Sequence, residues 1–566
     1  MNKDFFKALP GAFTILALLC SPIILSAQNG PPAEVRKAQA LVQAKDYDGA
    51  IRILEEFLET QGNQPRPGAL SVLASAYRFK GDYDKALQAY AKAMKSPQFA
   101  QQSRYNSACL YALKNNTEEA FKLLGQLRES GAFDMSVILA DDDLKSLRSD
   151  PRFDKLIPKP SEFANPFVEQ VRIIHEWTGE AKGGQFGWIA RRIGDVDGDK
   201  VNDVVTSAPT HLIEGTPAGR VYVYSGRSGK LLWKQTGPSG GRLGIGIEAA
   251  GDVDADGVPD VIASAPGTGK AYVYSGKDGA TILTLGAGDP AEAFGRHVSG
   301  AGDINGDGNA DVIIGAPGNN AGGQGAGRVY VYSGKDGAVL LTLDGERAGD
   351  AYGSAVAGYK GKGRAFLIVG APNAGPKKTG RVYVYAGLTK KPKFTIEADD
   401  TGAQLGAMFL SVVGDVNRDN VPDIYASDFS NAAKGNATGR IYVHSGADGR
   451  RLLTLTGEAA NDGFGIGPAD AGDVNHDGYD DLIVGAWQHS SAATSGGKVY
   501  LYSGKDGSLL RAITCRIPGD TFGFDATGVG DVDGDGVIDF LVTSAWSGIN
   551  GFQSGRVFIV SGKDSR

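Results

Sequence analysis

Two different spacings of apolar residues divide the chain near residue 160. From Pro32 to about Ile157, Ala, Leu and aromatic residues recur every three to four positions, a pattern that predicts amphipathic helices. From Val171 onward apolar and polar residues alternate, as in GRVYVYSG (327–334), which indicates half-buried strands. The pattern therefore predicts a helical part followed by an all-β part.

The helical part, residues 32–157, repeats itself with a period of about 34–36 residues. Superposing it on itself aligns a small residue in both helices of each copy: Ala38 and Ala50, Ala74 and Ala86, Ala108 and Ala120. GDYDKALQAYAKAM (81–94) resembles the tetratricopeptide repeat, and about three copies cover this part. Such repeats form either a concave groove for a partner peptide or a packing platform, and both interpretations stay open. Prolines 158, 160 and 166 then predict a short, stiff connector over 158–169.

The β part, residues 170–566, contains seven copies of one pattern. Each copy has an FG or LG pair, a strand, a loop, an apolar strand such as DVIIGAP (311–317), a variable loop, a GRVYVYSG-type strand, a turn and a last strand. Six copies carry an acidic loop, and the copy at 354–372 keeps the frame without the acids. Four strands in each of seven copies predict a seven-bladed β-propeller.

The two ends of the β part predict how the ring closes. The seventh copy stops at GRVFIVSGKDSR (555–566) without its last strand, and a matching segment, VRIIHEWTGE (171–180), precedes the first copy. An open ring would expose unpaired backbone groups. We therefore expect residues 171–178 to pair antiparallel with Arg556–Ser561.

The acidic loop carries the strongest chemical signal in the chain. In GDVDGDGVID (530–539), aspartates stand at loop positions one, three, five and nine, with Gly536 at position six. Side-chain oxygens together with the backbone carbonyl of position seven suit Ca²⁺. An EF-hand is disfavoured because it needs Glu at position twelve, where these loops have residues such as Thr206 or Ala263.

Two other interpretations of the loops are weaker than a structural Ca²⁺ site. Catalytic carboxylates come as one pair across a cleft, whereas this loop occurs six times. A solvated acidic turn would suffer repulsion among its charges. The net charge of −7 would become +5 with six Ca²⁺, since they add 12.

The predicted metal ligands occupy positions one, three, five, seven and nine of each loop. They are Asp195, Asp197, Asp199, Val201 and Asp203; Asp252, Asp254, Asp256, Val258 and Asp260; Asp303, Asn305, Asp307, Asn309 and Asp311; Asp415, Asn417, Asp419, Val421 and Asp423; Asp473, Asn475, Asp477, Tyr479 and Asp481; and Asp531, Asp533, Asp535, Val537 and Asp539. At position six, Lys200 and Asn420 replace Gly, so the first loop is expected to be strained despite its four carboxylates.

The FG pair, the GDVDGDG loop, the GAP end (315–317 and 370–372) and GRVYVYSG together resemble the FG-GAP repeats of integrin α-subunit propellers. The resemblance covers about 170–566. It implies a propeller whose hairpin loops bind Ca²⁺ and an interaction or adhesion function. The copies leave no room for an inserted adhesion domain, so integrin-type partners are not implied.

Catalytic signatures and nucleic-acid signatures are missing from the sequence. The six histidines lie in no metal-ligand spacing, and no GxSxG, P-loop or CxxC pair occurs. No basic patch interleaved with aromatic residues is present. We therefore predict a non-enzymatic binding protein, with an accessory module of a polysaccharide-acting enzyme as the alternative.

Three aromatic residues mark a candidate ligand surface. Copies five to seven carry Phe429, Trp487 and Trp546 where copies one to four have Pro, at the variable loops and away from the acidic hairpins. Such rings stack on sugars or anchor proteins. Packing of these rings against the next blade is the other interpretation.

Residues 1–27 have the pattern of a secretory signal peptide. Lys3 and Lys7 precede an apolar run that ends in Ser26-Ala27, and prolines interrupt the run, which disfavours an uncleaved anchor. Leu19 before Cys20 disfavours a lipoprotein signal. The mature chain, with Cys109 and Cys515, has no disulfide framework and no other transmembrane candidate. We expect an exported calcium-binding scaffold, periplasmic or at the cell surface, that binds a protein or a glycan.

Overall fold

A computed structural model describes residues 32–62, 66–286, 289–361, 363–467 and 469–563. The chain divides into two compact units, Met1–Glu162 and Phe163–Arg566. The predicted signal peptide lies outside the described residues. Among the described residues, the structure contains no helix with the length and apolar character needed to cross a membrane.

The first unit consists of antiparallel helix pairs. Its helices are α1 (Ala33–Gln43), α2 (Tyr47–Thr60), α3 (Pro67–Lys80), α4 (Tyr83–Ala93), α5 (Pro97–Leu113), α6 (Thr117–Ser130) and α7 (Pro151–Asp154), with 3-10 turns at Met135–Leu139, Asp142–Leu147 and Pro160–Phe163. The second helix of each pair begins at a polar cap: Asp46, Asp82 and Asn116 accept backbone N–H bonds from Gly49, Lys85 and Glu119. Because the caps satisfy free N–H groups at matching positions, each copy restarts its helix at the same point of the repeat.

The small residues aligned by the repeat lie where the helices touch. Ala38, Ala50, Ala74, Ala86, Ala108 and Ala120 are all fully buried. A larger side chain would push the paired helices apart, so these alanines fix the close packing. The helical repeat part is therefore confirmed.

The second unit is a ring of seven sheets, one for each sequence copy. The blades contain, from inner to outer strand, β2 (Ala190–Gly194), β3 (Asp203–Ala208), β6 (Arg220–Tyr224) and β7 (Leu231–Thr236); β8 (Ile247–Gly251), β9 (Asp260–Ala265), β10 (Lys270–Tyr274) and β11 (Thr281–Gly286); β12 (Val298–Gly302), β13 (Asp311–Ala316), β14 (Arg328–Tyr332) and β15 (Val339–Asp344); β16 (Val356–Gly361), β17 (Arg364–Ala371), β18 (Arg381–Ala386) and β19 (Phe394–Glu397); β20 (Leu410–Val413), β21 (Asp423–Asp428), β22 (Arg440–His444) and β23 (Arg451–Thr456); β24 (Phe464–Ile466) with β25 (Asp470–Gly472), β26 (Asp481–Ala486), β27 (Lys498–Tyr502) and β28 (Leu509–Thr514); and β29 (Ala526–Gly530), β30 (Asp539–Ser544), β31 (Arg556–Val560) and β1 (Ile173–Thr178). A two-stranded hairpin, β4 (Leu212–Ile213) and β5 (Thr216–Pro217), extends from the first blade. The predicted seven-bladed propeller is confirmed.

Ring closure follows the prediction made from the missing last strand. Strand β1 pairs antiparallel with β31, with Ile173 opposite Val560 and Thr178 opposite Arg556. Buried Arg556 also donates to the Glu176 carboxylate at 2.8 Å. The last blade is therefore completed by the segment that precedes the first.

The segment predicted as a connector, 158–169, is shared between the two units. Phe167 packs against the rings of Phe522 and Phe558 in the core of the last two blades. Next to it, the Val168 N–H donates to the Thr514 carbonyl at 2.9 Å. This segment therefore covers the edge of β28 before the chain enters β1.

The FG and LG pairs lie between blades and connect each sheet to the preceding one. Their first residues are buried, including Phe186, Phe294 and Phe464. In the first blade the Phe186 ring meets Tyr222 edge-on at a centroid distance of 5.2 Å. These side chains supply the apolar contact that packs neighbouring sheets.

Candidate metal loops and the aromatic surface

The six acidic loops connect the first and second strands of six blades, so they lie together on one face of the propeller. Each loop takes the number of its blade, so the loop at 531–539 is the seventh loop. In the fourth blade, a short turn between β16 and β17 replaces the loop. The position-one aspartate organises each loop. In the seventh loop, Asp531 Oδ1 accepts the Gly534 and Asp535 N–H groups at 2.8 and 3.0 Å, and Oδ2 accepts that of Gly536 at 2.8 Å.

Carboxylates at positions three and five converge beside position one. Asp533 Oδ1 and Asp535 Oδ1 accept backbone N–H groups, whereas the Oδ2 atoms of both residues point away from the loop backbone. In three loops, one carboxylate oxygen from each of three aspartates lies within 4.8 Å of the others: Asp195, Asp197 and Asp199; Asp252, Asp254 and Asp260; and Asp531, Asp533 and Asp535. The third, fifth and sixth loops have Asn at position three, which offers an amide oxygen instead.

The position-nine aspartates are fully buried and connect each loop to the third strand of its own blade. Asp203 Oδ2 accepts the Val196 N–H at 2.7 Å, and its Oδ1 accepts the Gly226 N–H at 3.0 Å. Asp423 makes the equivalent bonds with Val416 and Gly446. Burial raises the pKa of Asp203 to about 6 and the pKa of Asp423 to about 7. Position nine therefore has a structural role in every loop, and in the second loop Asp260 also lies within the oxygen cluster.

The close approach of position nine to the third strand requires Gly there. A Cβ atom added to Gly226 would lie 2.0 Å from the carbonyl oxygen of Asn202, which is position eight of the loop. The Gly that ends the GRVYVYSG segment therefore allows the acidic loop to pack against the end of the third strand. The sequence pattern showed this Gly in each copy but not its partner.

Backbone conformation at two loop positions is left-handed. Position six includes Lys200 with a φ of 71° and Asn420 with a φ of 61°, as the Gly pattern indicated. Position four is left-handed too, and there Ala255, Arg418 and His476 occur with φ of 59–63°. Each non-Gly residue in this region costs about 1 kcal/mol. Sequence reasoning missed position four because three of the six loops lack Gly there.

Neighbouring acidic loops contact one another directly. Asp480, at position eight of the sixth loop, accepts the Asp415 N–H of the fifth loop at 2.7 Å. In the same way Asn309 donates to the Val253 carbonyl oxygen of the second loop at 2.7 Å. A change of conformation in one loop would therefore alter a hydrogen bond to the loop of the adjacent blade.

The central channel contains a buried ion cluster that the sequence did not indicate. Arg191 of the first blade pairs with Asp525 of the seventh and, at 2.8 Å, with Glu248 of the second. Burial raises the pKa of Asp525 and Glu248, and the Arg191 charge opposes this rise. This cluster links the first two blades to the last blade, which is distant from them in sequence.

The face opposite the acidic loops carries a cluster of aromatic rings at the variable loops. Trp487 meets Trp546 edge-on at a centroid distance of 4.9 Å and Phe524 at 5.5 Å, and Trp188 lies 5.1 Å from Phe524. We call these four residues the aromatic surface. Trp188, Trp487 and Trp546 are partly exposed, whereas Phe524 is buried.

The predicted ligand residues divide between this surface and the core. Trp487 and Trp546 belong to the aromatic surface, and Phe429 packs against the core of the fifth and sixth blades. Trp188 and Phe524 follow the FG pairs of their copies, and the sequence did not single them out because the residue after FG varies.

Fold and loops define a repeat protein in which helical pairs precede a seven-bladed propeller with acidic hairpin loops. Family comparisons agree with this class. FG-GAP repeat matches residues 192–224 and 294–332, FG-GAP-like repeat matches 473–542, and Tetratricopeptide repeat matches 69–98. The chain therefore carries FG-GAP repeats and a tetratricopeptide repeat over these residues.

Similar proteins fall into two groups. The chain is 28% identical over 395 residues to Phosphatidylinositol-glycan-specific phospholipase D of Homo sapiens, covering 57% of this chain and 46% of that protein. It is 28% identical over 255 residues to Integrin alpha-4 of Xenopus laevis, covering 41% and 24% respectively. It is 36% identical over 169 residues to Integrin alpha-2 of Mus musculus, covering 26% and 14%. The chain thus spans less than half the length of each of these relatives.

Proposed function

We propose that the protein is an exported scaffold whose six acidic loops bind Ca²⁺ and whose aromatic surface binds a protein or glycan partner. The single observation that supports calcium binding is the arrangement of oxygens in the loops. Backbone N–H groups hold one oxygen of each carboxylate at positions three and five of the seventh loop, so the second oxygens are presented together. Hard oxygen donors of this kind suit Ca²⁺.

Calcium would neutralise charges that the propeller concentrates on one face. The carboxylates at positions one, three and five lie side by side in the first and seventh loops, those at positions one, three and nine do so in the second, and every position-nine carboxylate is buried. Each Ca²⁺ would be held by side-chain oxygens of positions one, three and five and by the carbonyl of position seven, with the position-nine carboxylate as the further predicted ligand, as at Asp260. Metal binding would thereby stabilise the hairpin between the first two strands of each of the six blades.

Metal analysis tests the calcium proposal. We expect about six Ca²⁺ ions per chain, with affinities on the order of 10⁻⁴–10⁻³ M, typical of extracellular modules. Asp535→Asn should weaken one site, whereas Asp336→Asn, which removes the same charge from an exposed turn outside the loops, should leave the metal content unchanged. Finding one ion or none in calcium-saturated protein would contradict the proposal.

The partner site is proposed at the aromatic surface because aromatic rings from the first, sixth and seventh blades meet there. Aromatic residues anchor protein partners and stack on sugar rings. A glycan array and a pull-down with intact protein separate the two ligand classes. Trp188→Ala should abolish binding, whereas Leu231→Ala, at an exposed position on an outer strand, should retain it. Equal binding by both variants would place the partner elsewhere.

Export is proposed from the signal-peptide pattern of residues 1–27. Because the sequence has no disulfide framework, something else must stabilise the exported protein. Calcium in six loops would supply this stabilisation. Cell fractionation tests the location. Recovery of the protein solely from the cytosolic fraction would contradict export.

A role as an accessory module of an enzyme is a second candidate. It is favoured by the similarity to a phospholipase D, of which this chain spans 46%. In that case the propeller would bind and position the substrate for a catalytic partner. A pull-down with the intact chain, followed by hydrolase and phospholipase assays, tests this alternative. Activity that co-purifies with the chain from cells, but is absent from the chain purified alone, would support it, and no associated activity would contradict it.

A further inference from the structure

An arginine of the closing strand segment already occupies the seventh acidic loop. Arg172 Nη2 donates to Asp533 Oδ2 and lies 3.4 Å from Asp535 Oδ2. These are the two oxygens that the loop backbone does not use. The structure itself thus shows that this pair of oxygens attracts a cation.

Arg172 also belongs to the closure of the ring. Its carbonyl oxygen accepts the Ser561 N–H at 2.9 Å, and its guanidinium lies 3.3 Å from Ser561 Oγ. Pairing between β1 and β31 begins at the next residue, Ile173. Arg172 therefore contacts both the seventh acidic loop and the β1–β31 strand pair that closes the propeller.

The other loops differ in whether a basic side chain reaches them. In the first loop, Arg227 Nε lies 3.2 Å from Asp199 Oδ2. In the second loop, no Lys or Arg nitrogen of the described residues lies within 4.0 Å of Asp254 or Asp256. The charge that surrounds each acidic loop therefore differs from loop to loop, although the loop sequences are alike.

We propose that Arg172 and Ca²⁺ compete for Asp533 Oδ2 and Asp535 Oδ2, so that the seventh loop binds Ca²⁺ more weakly than the second and its occupancy is coupled to ring closure. This inference rests on the proposed calcium binding. Without calcium, Arg172 compensates the two carboxylates, together with Lys563 Nζ at 3.8 Å from Asp535 Oδ2, and holds the segment before β1 against the loop. With calcium, the guanidinium must leave these oxygens, because two cations at the same oxygens repel each other.

The effect of Arg172 on affinity is modest because its side chain is half exposed. Exposed ion pairs are worth roughly 0.2–1 kcal/mol, so removing the competing charge should raise calcium affinity at this loop by a factor of about 1.4 to 5. The same change removes the contact that holds the loop in calcium-free protein. Arg172→Gln should therefore act in opposite directions on calcium affinity and on calcium-free stability.

The test combines calcium titration calorimetry with thermal unfolding in calcium and in chelator, on the full chain. Arg172→Gln is expected to raise the calcium affinity of one site, that of the seventh loop, and to lower the melting temperature in chelator. The gain in affinity should vanish in an Asp531→Asn background, which disables the seventh loop. Arg516→Gln is the control, because Arg516 holds the Phe167 carbonyl of the same segment without touching an acidic loop. It should lower the melting temperature and leave calcium affinity unchanged.

Three results would overturn the inference. The first is a calcium affinity of Arg172→Gln that equals that of the wild-type protein, although the wild-type protein binds about six ions. This result would leave the proposed calcium binding intact. The second is an equal change of affinity in Arg516→Gln, which assigns the effect to the segment as a whole. The third is a wild-type protein that binds no calcium, which removes the proposed calcium binding as well.

Discussion

Trp177 is the residue whose loss should open the ring most directly. It lies in β1, its side chain is 9% exposed, and its ring stands 4.8 Å from that of Tyr224 in the first blade. Its indole N–H donates to the Gly229 carbonyl oxygen at 2.8 Å. Trp177 therefore joins the strand that completes the last blade to the first blade.

Trp177→Ala should destabilise the closure by about 3 kcal/mol. Replacing a buried Trp by Ala costs about 3–5 kcal/mol, and the lower end applies because Gly229 lies near the surface, where water can replace the lost donor. If β1 opens as a local unit, 3 kcal/mol raises its opening constant more than a hundredfold, since about 1.4 kcal/mol is a factor of ten.

Hydrogen exchange measured by mass spectrometry, with urea unfolding in parallel, checks this prediction. Exchange should accelerate in Ile173–Thr178 and in Arg556–Val560. Trp233→Ala is the control, because Trp233 is a buried tryptophan of the outer strand β7, opposite Val223, and donates to the Gly276 carbonyl at 2.6 Å. Its loss should cost similar stability without affecting the last blade. Unchanged exchange in these two strands, or the same acceleration in the control, would refute the reasoning.

Three further predictions concern closure, pH and the channel. A chain that starts at Gly183 lacks β1 and should aggregate or melt lower than one that starts at Glu162, and equal melting temperatures would contradict the pairing seen in the last blade. Because burial raises the pKa of Asp203 to about 6 and that of Asp423 to about 7, the folded metal-free protein binds more protons than the unfolded chain, so the contribution of these groups to stability should fall as pH rises from about 4 to 7. Protonation of these carboxylates lowers the negative charge behind the proposed calcium ligands, so calcium-dependent stabilisation should shrink as pH drops from 7 to 5, which melting curves with and without calcium would show. Arg191→Met should cost about 3–5 kcal/mol, because it leaves Asp525 buried without its cation, and urea unfolding that shows less than 1 kcal/mol would contradict this.

The sequence by itself determined the blade count, the strand order and the place of the acidic loops. These features recur seven or six times, and each copy repeats a period-two strand pattern that is interpretable within about 60 residues. Even the closing strand was predictable, because a missing segment at one end and a spare one at the other are visible in the repeat itself. The alanines of the helical unit were predictable for the same reason.

Only the tertiary structure decided which oxygens of each loop face outward. The position-nine carboxylate is used by backbone N–H groups such as that of Gly226, which lies 23 residues away, just after the third strand. Likewise, the left-handed backbone at position four is imposed on Ala255 and Arg418 by the loop's own hydrogen bonds and not by their residue type. Local pattern cannot show a contact whose partner comes from another strand.

The features that differ from blade to blade were also decided by the tertiary structure. Arg191 meets Asp525 across 334 residues, Arg172 meets Asp533 across 361, and Trp188 meets Phe524 where the first and last blades adjoin. A repeat specifies what its copies share, whereas these contacts join single, non-repeated residues. They exist because ring closure brings the two ends of the propeller together, and closure is a property of the assembled ring.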